Sequence, residues 1–233
     1  MFGYYPGFYF DNTILFLLPA LIISIWAQAK VSSTFNKYKR VYSMNGYTGA
    51  QVARMILDNA GLYNVKIYET GGHLSDHYDP SARVIRLSSE IYHGTSIAAA
   101  GIAAHEVGHA IQHGTEYKPL VLRTTIATAV NFSSQISIYI FMAGLLFSIP
   151  ALTTLGIVFF TAAVVYQLIT LPVEFNASSR AIKILENNNI LYGNEVKGAK
   201  KVLSAAAMTY VAAALMSISN LIRLIAISNR NND

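Results

Sequence analysis

Residues Ser96 to Gly114 read SIAAAGIAAHEVGHAIQHG, and this stretch decides the fold. Ser96 is placed to cap a helix, and the apolar run behind it leads directly into the pattern His-Glu-x-x-His at residues 105–109. Glycine commonly follows the end of a helix, so Gly114 is expected just past the last turn. The sequence therefore predicts a helix over residues 96–113 that carries the pattern on its second half.

The spacing within this pattern suits the binding of one metal ion. Positions four apart lie on one face of an α-helix, about 6 Å apart along the axis, so His105 and His109 can both reach one zinc ion. Glu106 lies one step round the helix, beside the water that such a metal activates, where a carboxylate can accept a proton. The pattern is typical of hydrolysis assisted by zinc, most often of a peptide bond.

The same pattern also arises by chance in unrelated helices, where it binds nothing. The distribution of histidine favours function, because all six histidines of the chain fall between His73 and His113. The chain contains no cysteine, so a zinc ion would be held by nitrogen and oxygen donors, and disulfide bonds are excluded.

Composition indicates a membrane protein. The chain is 53% hydrophobic and only 12% charged, whereas about 25% of residues are charged in soluble domains. Four apolar stretches approach the ~20 residues that cross a bilayer core, namely residues 13–29, 133–149, 152–171 and 205–222. Polar residues interrupt the second and the fourth stretch, so a helix buried within the protein is an alternative for each.

The distribution of positive charge predicts an orientation for these spans. The first twelve residues carry no Lys or Arg and are rich in aromatic residues from Phe2 to Phe10, which favours a retained anchor over a secretory signal peptide. Most basic residues flank the spans within residues 30–125 and 172–204, so both regions are expected in the cytoplasm. These charges orient helices and meet anionic lipid, and the basic balance requires no nucleic-acid partner.

A small domain is expected between the first two spans. Thr48 and Gln51 form a capping box for one amphipathic helix, and residues 65–69 and 82–87 alternate as two strands of a small antiparallel sheet. The loop between the strands carries four polar side chains, which are His73, Asp76, His77 and Asp79. They either cap the two strands as a polar turn or line the substrate cleft. In the second case, His77 or His73 is the candidate for stabilising the oxyanion. If residues 82–87 form an edge strand beside the motif helix, they can bind an extended substrate by strand addition.

A catalytic zinc ion usually has a third protein ligand. His113 lies eight residues beyond His105, about 12 Å along a straight helix, so it is more suited to supporting the site or facing the membrane boundary. Glu174 is the only acidic residue between Glu116 and Glu186, and it follows the third span. Pro172 is expected to end or kink that span before a helical run over residues 176–187. Glu174 is therefore predicted as the third ligand, although a solvated charge at the membrane edge is the alternative.

Three segments together resemble a known family: residues 105–113, 73–80 and 172–178 look like the bacterial neutral zinc metallopeptidases of the YugP-like membrane type. The chain is more distantly similar to the membrane gluzincins that include the CAAX proteases and the heat-shock membrane protease. The resemblance implies a membrane-anchored peptidase facing the cytoplasm, with one zinc ion per chain, three zinc ligands and a general base. The implied ligands are His105, His109 and Glu174, and the implied base is Glu106.

The chain departs from these relatives at two positions near the implied ligands. The family often has Asp where this chain has Asn176, and the distant relatives place Asp where this chain has Ser178. Asn176 and Ser178, with His113, are therefore the candidates for residues that support the ligands without binding the metal.

The predicted fold class is a mainly α membrane protein with about four transmembrane helices and a small α+β zincin-like cytoplasmic domain. The expected division is an anchor (1–29), a catalytic domain (30–125), a transmembrane hairpin (126–171), a segment supplying the third ligand (172–204) and a last span with its tail (205–233). The expected activity is that of a zinc metalloendopeptidase in the cell membrane, acting on membrane-associated protein or peptide substrates. The alternatives are an intramembrane protease of the site-2 type, and a non-enzymatic scaffold stabilised by zinc. The sequence predicts no particular oligomeric state.

Overall fold

The computed structural model describes residues 12–232, so the aromatic stretch from Phe2 to Phe10 lies outside the described residues. A 3-10 turn, Asn12–Leu17, leads into the first helix. The helices are α1 (Leu18–Tyr38), α2 (Gly49–Asn59), α3 (Ser89–Tyr92), α4 (Ile97–Gly114), α5 (Lys118–Leu146), α6 (Pro150–Asn187) and α7 (Asn194–Asn232). The strands are β1 (Lys66–Thr70), β2 (His77–Asp79) and β3 (Val84–Ser88).

Within residues 12–232, four helical stretches are long and apolar enough to cross a membrane: Asn12–Tyr38, Lys118–Leu146, Pro150–Asn187 and Asn194–Arg230. Glycine lets the pair formed by α5 and α6 pack closely, since a Cβ atom on Gly144 would overlap the backbone of Thr153. A Cβ atom on Gly156 would likewise lie 2.7 Å from Cβ of Phe141. Such close approach at small residues is typical of helices that pack in a bilayer.

Pro172 does not end the third long helix, so of the two outcomes expected from sequence, an end or a kink, the end is not observed. Helix α6 runs from Pro150 to Asn187 with Pro172 inside it, although proline lacks an N–H group and crowds the carbonyl four residues earlier. The residues that follow it are held by packing, because Val173 and Ala177 are fully buried against neighbouring helices. Glu174 is therefore carried on the same continuous helix as the third apolar span.

The small sheet differs from the predicted antiparallel pair. The two predicted strands form, but β1 pairs with β3 in parallel, with Ile67 opposite Ile85. The third strand, β2, arises in the loop that was expected to be irregular, and it pairs antiparallel with β3 through Tyr78 and Ile85. Its three residues are too few to show a pattern in the sequence. Strand addition at residues 82–87 required them to form an edge strand, and this condition is not met, because β3 is central in the order β1-β3-β2.

Helix α4 lies at the centre of the core beneath this sheet. Its alanines are almost completely buried, and the buried residues around them come from α2, β3, α6 and α7. The predicted helix starts are confirmed, because Ser96 Oγ accepts a hydrogen bond from the Ala99 N–H at 3.1 Å and the capping box of Thr48 and Gln51 is formed. The far end of α4 extends one residue beyond the prediction, so that Gly114 is its last residue.

Helices α4 and α6 touch where Gly108 faces Ala177. A Cβ atom on Gly108 would lie 2.8 Å from the carbonyl oxygen of Ala177, closer than real Cβ contacts come. Gly101 on the same helix faces Ala199 of α7, but its Cβ would meet Ala199 Cβ at an ordinary 3.4 Å. Only glycine at position 108 therefore lets α4 and α6 reach their observed separation.

We expect the substitution Gly108→Ala to destabilise the protein and Gly101→Ala to leave it intact. Overpacking at residue 108 should cost about 1–3 kcal/mol, which is several degrees in Tm. Gly101→Ala should be neutral or stabilising by up to about 1 kcal/mol, since alanine favours the helix. Thermal unfolding of both full-length variants in the same detergent measures the difference. Equal Tm values for the two variants would contradict this account of the contact.

Candidate metal centre

Three side chains from two helices converge on one point. His105 and His109 project from the same face of α4, and their Nε2 atoms are 3.2 Å apart. Glu174 reaches them from α6, with its Oε2 atom 3.3 Å from Nε2 of His105 and 3.5 Å from Nε2 of His109. The structure thus brings together the three residues that sequence reasoning selected as ligands, although 65 residues separate His109 from Glu174.

The spacing of these three atoms fits a zinc ion. Zinc binds histidine nitrogen and carboxylate oxygen at about 2.0–2.1 Å, so two ligand atoms of a tetrahedral site lie about 3.3 Å apart. The three observed separations of 3.2, 3.3 and 3.5 Å all lie close to that value. Two imidazole nitrogens and one carboxylate oxygen also form a donor set found in catalytic zinc sites, which leave a fourth position open.

The two carboxylate oxygens of Glu174 have different surroundings. Oε1 forms an ion pair with Nη1 of Arg123 on α5 at 3.2 Å. Oε2 is buried, and within residues 12–232 no hydrogen bond to it has acceptable geometry, despite the two nearby ring nitrogens. A buried carboxylate oxygen without a partner costs free energy, and a cation between Oε2 and the two rings would remove that cost.

Gln112 fixes the tautomer of His109. Its side-chain Nε2 donates to the carbonyl oxygen of Val173 at 2.8 Å and to Oδ1 of Asn176 at 3.0 Å. The amide is thereby oriented with Oε1 towards Nδ1 of His109, 3.0 Å away. Because Oε1 can only accept, Nδ1 of His109 carries the proton and its Nε2 lone pair faces the cluster. This is the tautomer that binds a metal through Nε2.

The network around the ligands continues along α6. Arg180 Nε donates to Oδ1 of Asn176 at 2.8 Å, and Asn176 is linked to His109 through the side-chain amide of Gln112. Ser178 Oγ lies 3.2 Å from Nδ1 of His105 and can accept a hydrogen bond from this nitrogen. Both candidates for supporting residues on α6 are therefore connected to the histidines, one directly and one through an intermediate amide.

Charge in the cluster shifts the titration of His109. Burial of the ring disfavours the charged imidazolium, but the neighbouring carboxylates of Glu174 and Glu106 outweigh burial and raise the pKa of His109 above its ordinary value. A metal ion can bind Nε2 only when this nitrogen is unprotonated, so metal binding to the imidazolium form of His109 releases a proton.

A cavity of about 310 Å³ opens beside the three converging residues. Glu106 lines it, and this side chain is buried apart from the face towards the cavity. The other walls come from the edge strand β2 and from α5, α6 and α7, with Arg123, Tyr166 and Tyr210 among the polar side chains. The cluster is thus reached from a space large enough for a short stretch of polypeptide.

The remaining histidines are distributed over different places. His77 lines the cavity on β2, and its Nδ1 lies 2.8 Å from the Ser75 carbonyl oxygen. His73 lies away from the cavity, with Nδ1 3.3 Å from Glu90 and its ring against Phe35. Nδ1 of His113 lies 2.8 Å from the Tyr78 hydroxyl, and among the described residues His113 forms no hydrogen bond or ion pair with the three converging side chains. Of the two candidates for stabilising an oxyanion, only His77 faces the cavity.

The two aspartates of the same loop support the interpretation of a polar turn. Asp76 Oδ1 accepts from the backbone N–H of Ser88 at 2.7 Å and from its hydroxyl at 3.1 Å. Asp79 Oδ1 accepts from the backbone N–H groups of Ser81 and Ala82. Burial raises the pKa of Asp76, although the hydrogen bonds from Ser88 oppose that change. These carboxylates hold β2 against β3 and thereby place His77 at the cavity.

Sequence reasoning missed four polar residues of the site. Arg123 was counted only as a charge that orients the second span, and Gln112 was not considered although it lies three residues after His109 on the same helix. Its spacing was a usable signal, because positions three apart on a helix are neighbours. No local signal identifies Tyr166 and Tyr210, which occur in apolar helices and meet only in the folded protein.

Comparison with known proteins gives two findings. Residues 13–229 match a family model described as "Putative neutral zinc metallopeptidase". The chain is also similar to "Putative membrane protease YugP" of Bacillus subtilis (strain 168), with 51% identity over 220 residues that cover 94% of this chain and 98% of the relative. No solved structure matches the chain. Because the family model spans most of its length, this chain belongs to that family of neutral zinc metallopeptidases.

Proposed function

We propose that this protein is a membrane-embedded zinc endopeptidase in which His105, His109 and Glu174 hold one zinc ion. A single observation carries the assignment: the buried Oε2 atom of Glu174 has no hydrogen-bond partner in the described chain and lies at zinc-ligand spacing from two imidazole nitrogens. The family of the chain and the four long apolar helices support the same function. The third ligand makes the site similar to those of gluzincins.

The residues of the chain divide the chemistry among them. A zinc ion at this position supplies Lewis acidity, which polarises the scissile carbonyl and lowers the pKa of the attacking water. The Glu106 carboxylate takes one proton from that water as its oxygen bonds to the carbonyl carbon. The same carboxyl group then delivers the proton to the amide nitrogen as the C–N bond breaks. Peptide and water thus become a carboxylic acid and an amine, and Glu106 is restored.

Side chains in the wall of the cavity position the Glu174 carboxylate and the substrate. Arg123 neutralises Oε1 of Glu174 and so directs the other oxygen towards the histidines. Tyr166 and Tyr210 offer hydroxyl donors for the oxyanion that develops on the scissile carbonyl, whereas the N–H at Nδ1 of His77 is already donated to the Ser75 carbonyl oxygen. The edge strand β2 offers backbone groups to an extended substrate, because only its other edge is paired with β3.

Enclosure of the motif helix favours this function over an intramembrane protease of the site-2 type. Helix α4 is not one of the four described helices with the length and composition of a span. Its residues Ala98, Ala103 and Ala110 are buried by the protein around it. His105, Glu106 and His109 project from this enclosed helix, and Glu174 reaches the two histidines from α6. Substitution of Glu106 distinguishes an enzyme from a scaffold without activity, because only an enzyme needs this carboxylate for turnover.

Zinc analysis of purified variants tests the ligand set. We expect about one zinc ion per wild-type chain, and loss of most of that zinc in His105→Ala and in Glu174→Ala. The matched controls are His113→Ala on the same helix and Glu116→Ala on the surface, and both should keep one zinc ion per chain. Loss of zinc from the controls, or its retention in Glu174→Ala, would refute the proposed ligands.

The substitution Glu106→Gln tests the chemistry separately from binding. The variant should keep its zinc and lose about 10²–10⁴-fold of its peptidase activity, because the amide cannot accept a proton. Cleavage of a fluorogenic peptide library by detergent-solubilised protein gives the measurement. Undiminished turnover would reject Glu106 as the base, and an inert wild type whose His105→Ala variant unfolds would favour the scaffold.

The substitution Gln112→Met tests the positioning network. Methionine keeps the volume but removes the acceptor for His109 Nδ1, so we expect the dissociation constant for zinc to rise about 10–100-fold. Gln135→Met, at an exposed position on α5, is the control and should leave that constant unchanged. Competition with a chelator of known affinity measures both values. Equal affinities for the two variants would mean that Gln112 does not orient His109.

The cytoplasmic orientation is tested by labelling single cysteines, which the absence of native cysteine makes direct. Ser81 lies in the turn before β3 and Ser148 in the connection between α5 and α6, and both are exposed. In intact cells an impermeant maleimide should label Ser148→Cys and spare Ser81→Cys until the cells are lysed. Labelling of Ser81→Cys alone in intact cells would contradict this topology and indicate the opposite orientation.

A further inference from the structure

A second cavity, of about 770 Å³, lies between α1 and α7 on a different face of the molecule. We propose that this groove binds one anionic phospholipid, with the headgroup phosphate among its lysines and an acyl chain along its apolar end. The proposal rests on the membrane embedding of α1 and α7 proposed above, and it is independent of peptidase activity.

The charge in the groove has one sign. Two lysines of α1 and three of α7 line it, and no Asp or Glu belongs to its lining within residues 12–232; the five lysines are Lys30, Lys37, Lys197, Lys200 and Lys201. All five are exposed, and none forms an ion pair in the part of the chain that the structure describes. A cluster of unpaired ammonium groups at a membrane boundary attracts the phosphate of an anionic lipid.

The two ends of the groove differ in polarity. Trp26, Ala205 and Met208 line one end, while Lys37 and Lys197 lie eleven residues away along their helices, which is about 16 Å. Tryptophan is the aromatic residue most suited to the boundary between headgroups and hydrocarbon. The groove therefore matches an amphiphile, with its phosphate at the lysines and its hydrocarbon beyond Trp26.

Close packing closes the basic end of the groove. A Cβ atom on Gly198 would lie 2.7 Å from the ring of Tyr38, so α1 and α7 are in contact there. Towards the apolar end, Ile22 and Ile25 of α1 are more than half exposed, and they continue the apolar surface that faces lipid. A lipid can thus enter from the bilayer side while its headgroup stops at the Gly198 contact.

The only tryptophan of the chain, Trp26, reports on this groove. Full-length protein in a non-ionic detergent is mixed with phosphatidylglycerol or phosphatidylcholine carrying brominated acyl chains, which quench tryptophan fluorescence on contact. We expect half-maximal quenching at a severalfold lower mole fraction of phosphatidylglycerol than of phosphatidylcholine. Added inorganic phosphate at millimolar concentration should not remove the difference, because the acyl chain contributes to binding.

Charge-matched variants separate the groove from the net charge. The triple variant Lys197→Gln, Lys200→Gln, Lys201→Gln should lose the preference for phosphatidylglycerol. A control with the same change of charge, at exposed residues outside the groove, should keep it; its three substitutions are Arg40→Gln, Lys66→Gln and Lys118→Gln. The double variant Lys30→Gln, Lys37→Gln tests the α1 side if the triple variant does not fold.

Each result bears on one part of the proposal. Equal quenching of the wild type by both lipids would overturn the site while leaving membrane embedding intact. Loss of the preference in the control would assign it to net charge and also overturn the site. Displacement by inorganic phosphate would show an anion site without lipid specificity. Absence of quenching by either lipid would count against the embedding of α1, and zinc and peptidase measurements would be unaffected in every case.

Discussion

The contact between Gly108 of α4 and Ala177 of α6 is the constraint on which the site depends. It brings the two helices so close that a Cβ atom at position 108 has no room. Glu174 lies one turn before Ala177, and its carboxylate consequently reaches the two imidazoles within 3.5 Å. The alanine-rich surface of α4 serves the same purpose on its other sides, because small side chains allow α2 and α7 to enclose it.

Much of this arrangement could be predicted from sequence because the responsible patterns are local. The cap at Ser96, the helix that follows and the His-Glu-x-x-His spacing belong to one segment, and helical geometry alone places both histidines on one face. Glu174 could be selected as the third ligand because acidic residues are rare in that half of the chain. The apolar stretches were equally visible: three of them lie within long helices, and the stretch 133–149 runs three residues past the end of α5 at Leu146.

What the sequence could not predict depends on contacts between distant segments. Arg123 meets Glu174 only because α5 and α6 pack as a hairpin, and no local pattern distinguishes it from a basic residue at the end of a span. The parallel pairing of β1 with β3 follows from the insertion of β2 on the far edge, and three residues carry too weak a signal. The sequence left open whether the helix ends or kinks at Pro172, and α6 continues there because burial on both sides of Pro172 outweighs the intrinsic preference of proline against helix interiors.

The continuity of α6 has a consequence for the order of events during biosynthesis. The histidine pair is complete once α4 has been made, but its third partner belongs to α6, which must first be made, pack with α5 and dock against α4. A nascent chain whose α5–α6 hairpin has not yet docked therefore has two of three donors, and its affinity for metal is correspondingly incomplete. For the proposed enzyme, docking of the α5–α6 hairpin and acquisition of the zinc ion would therefore be coupled.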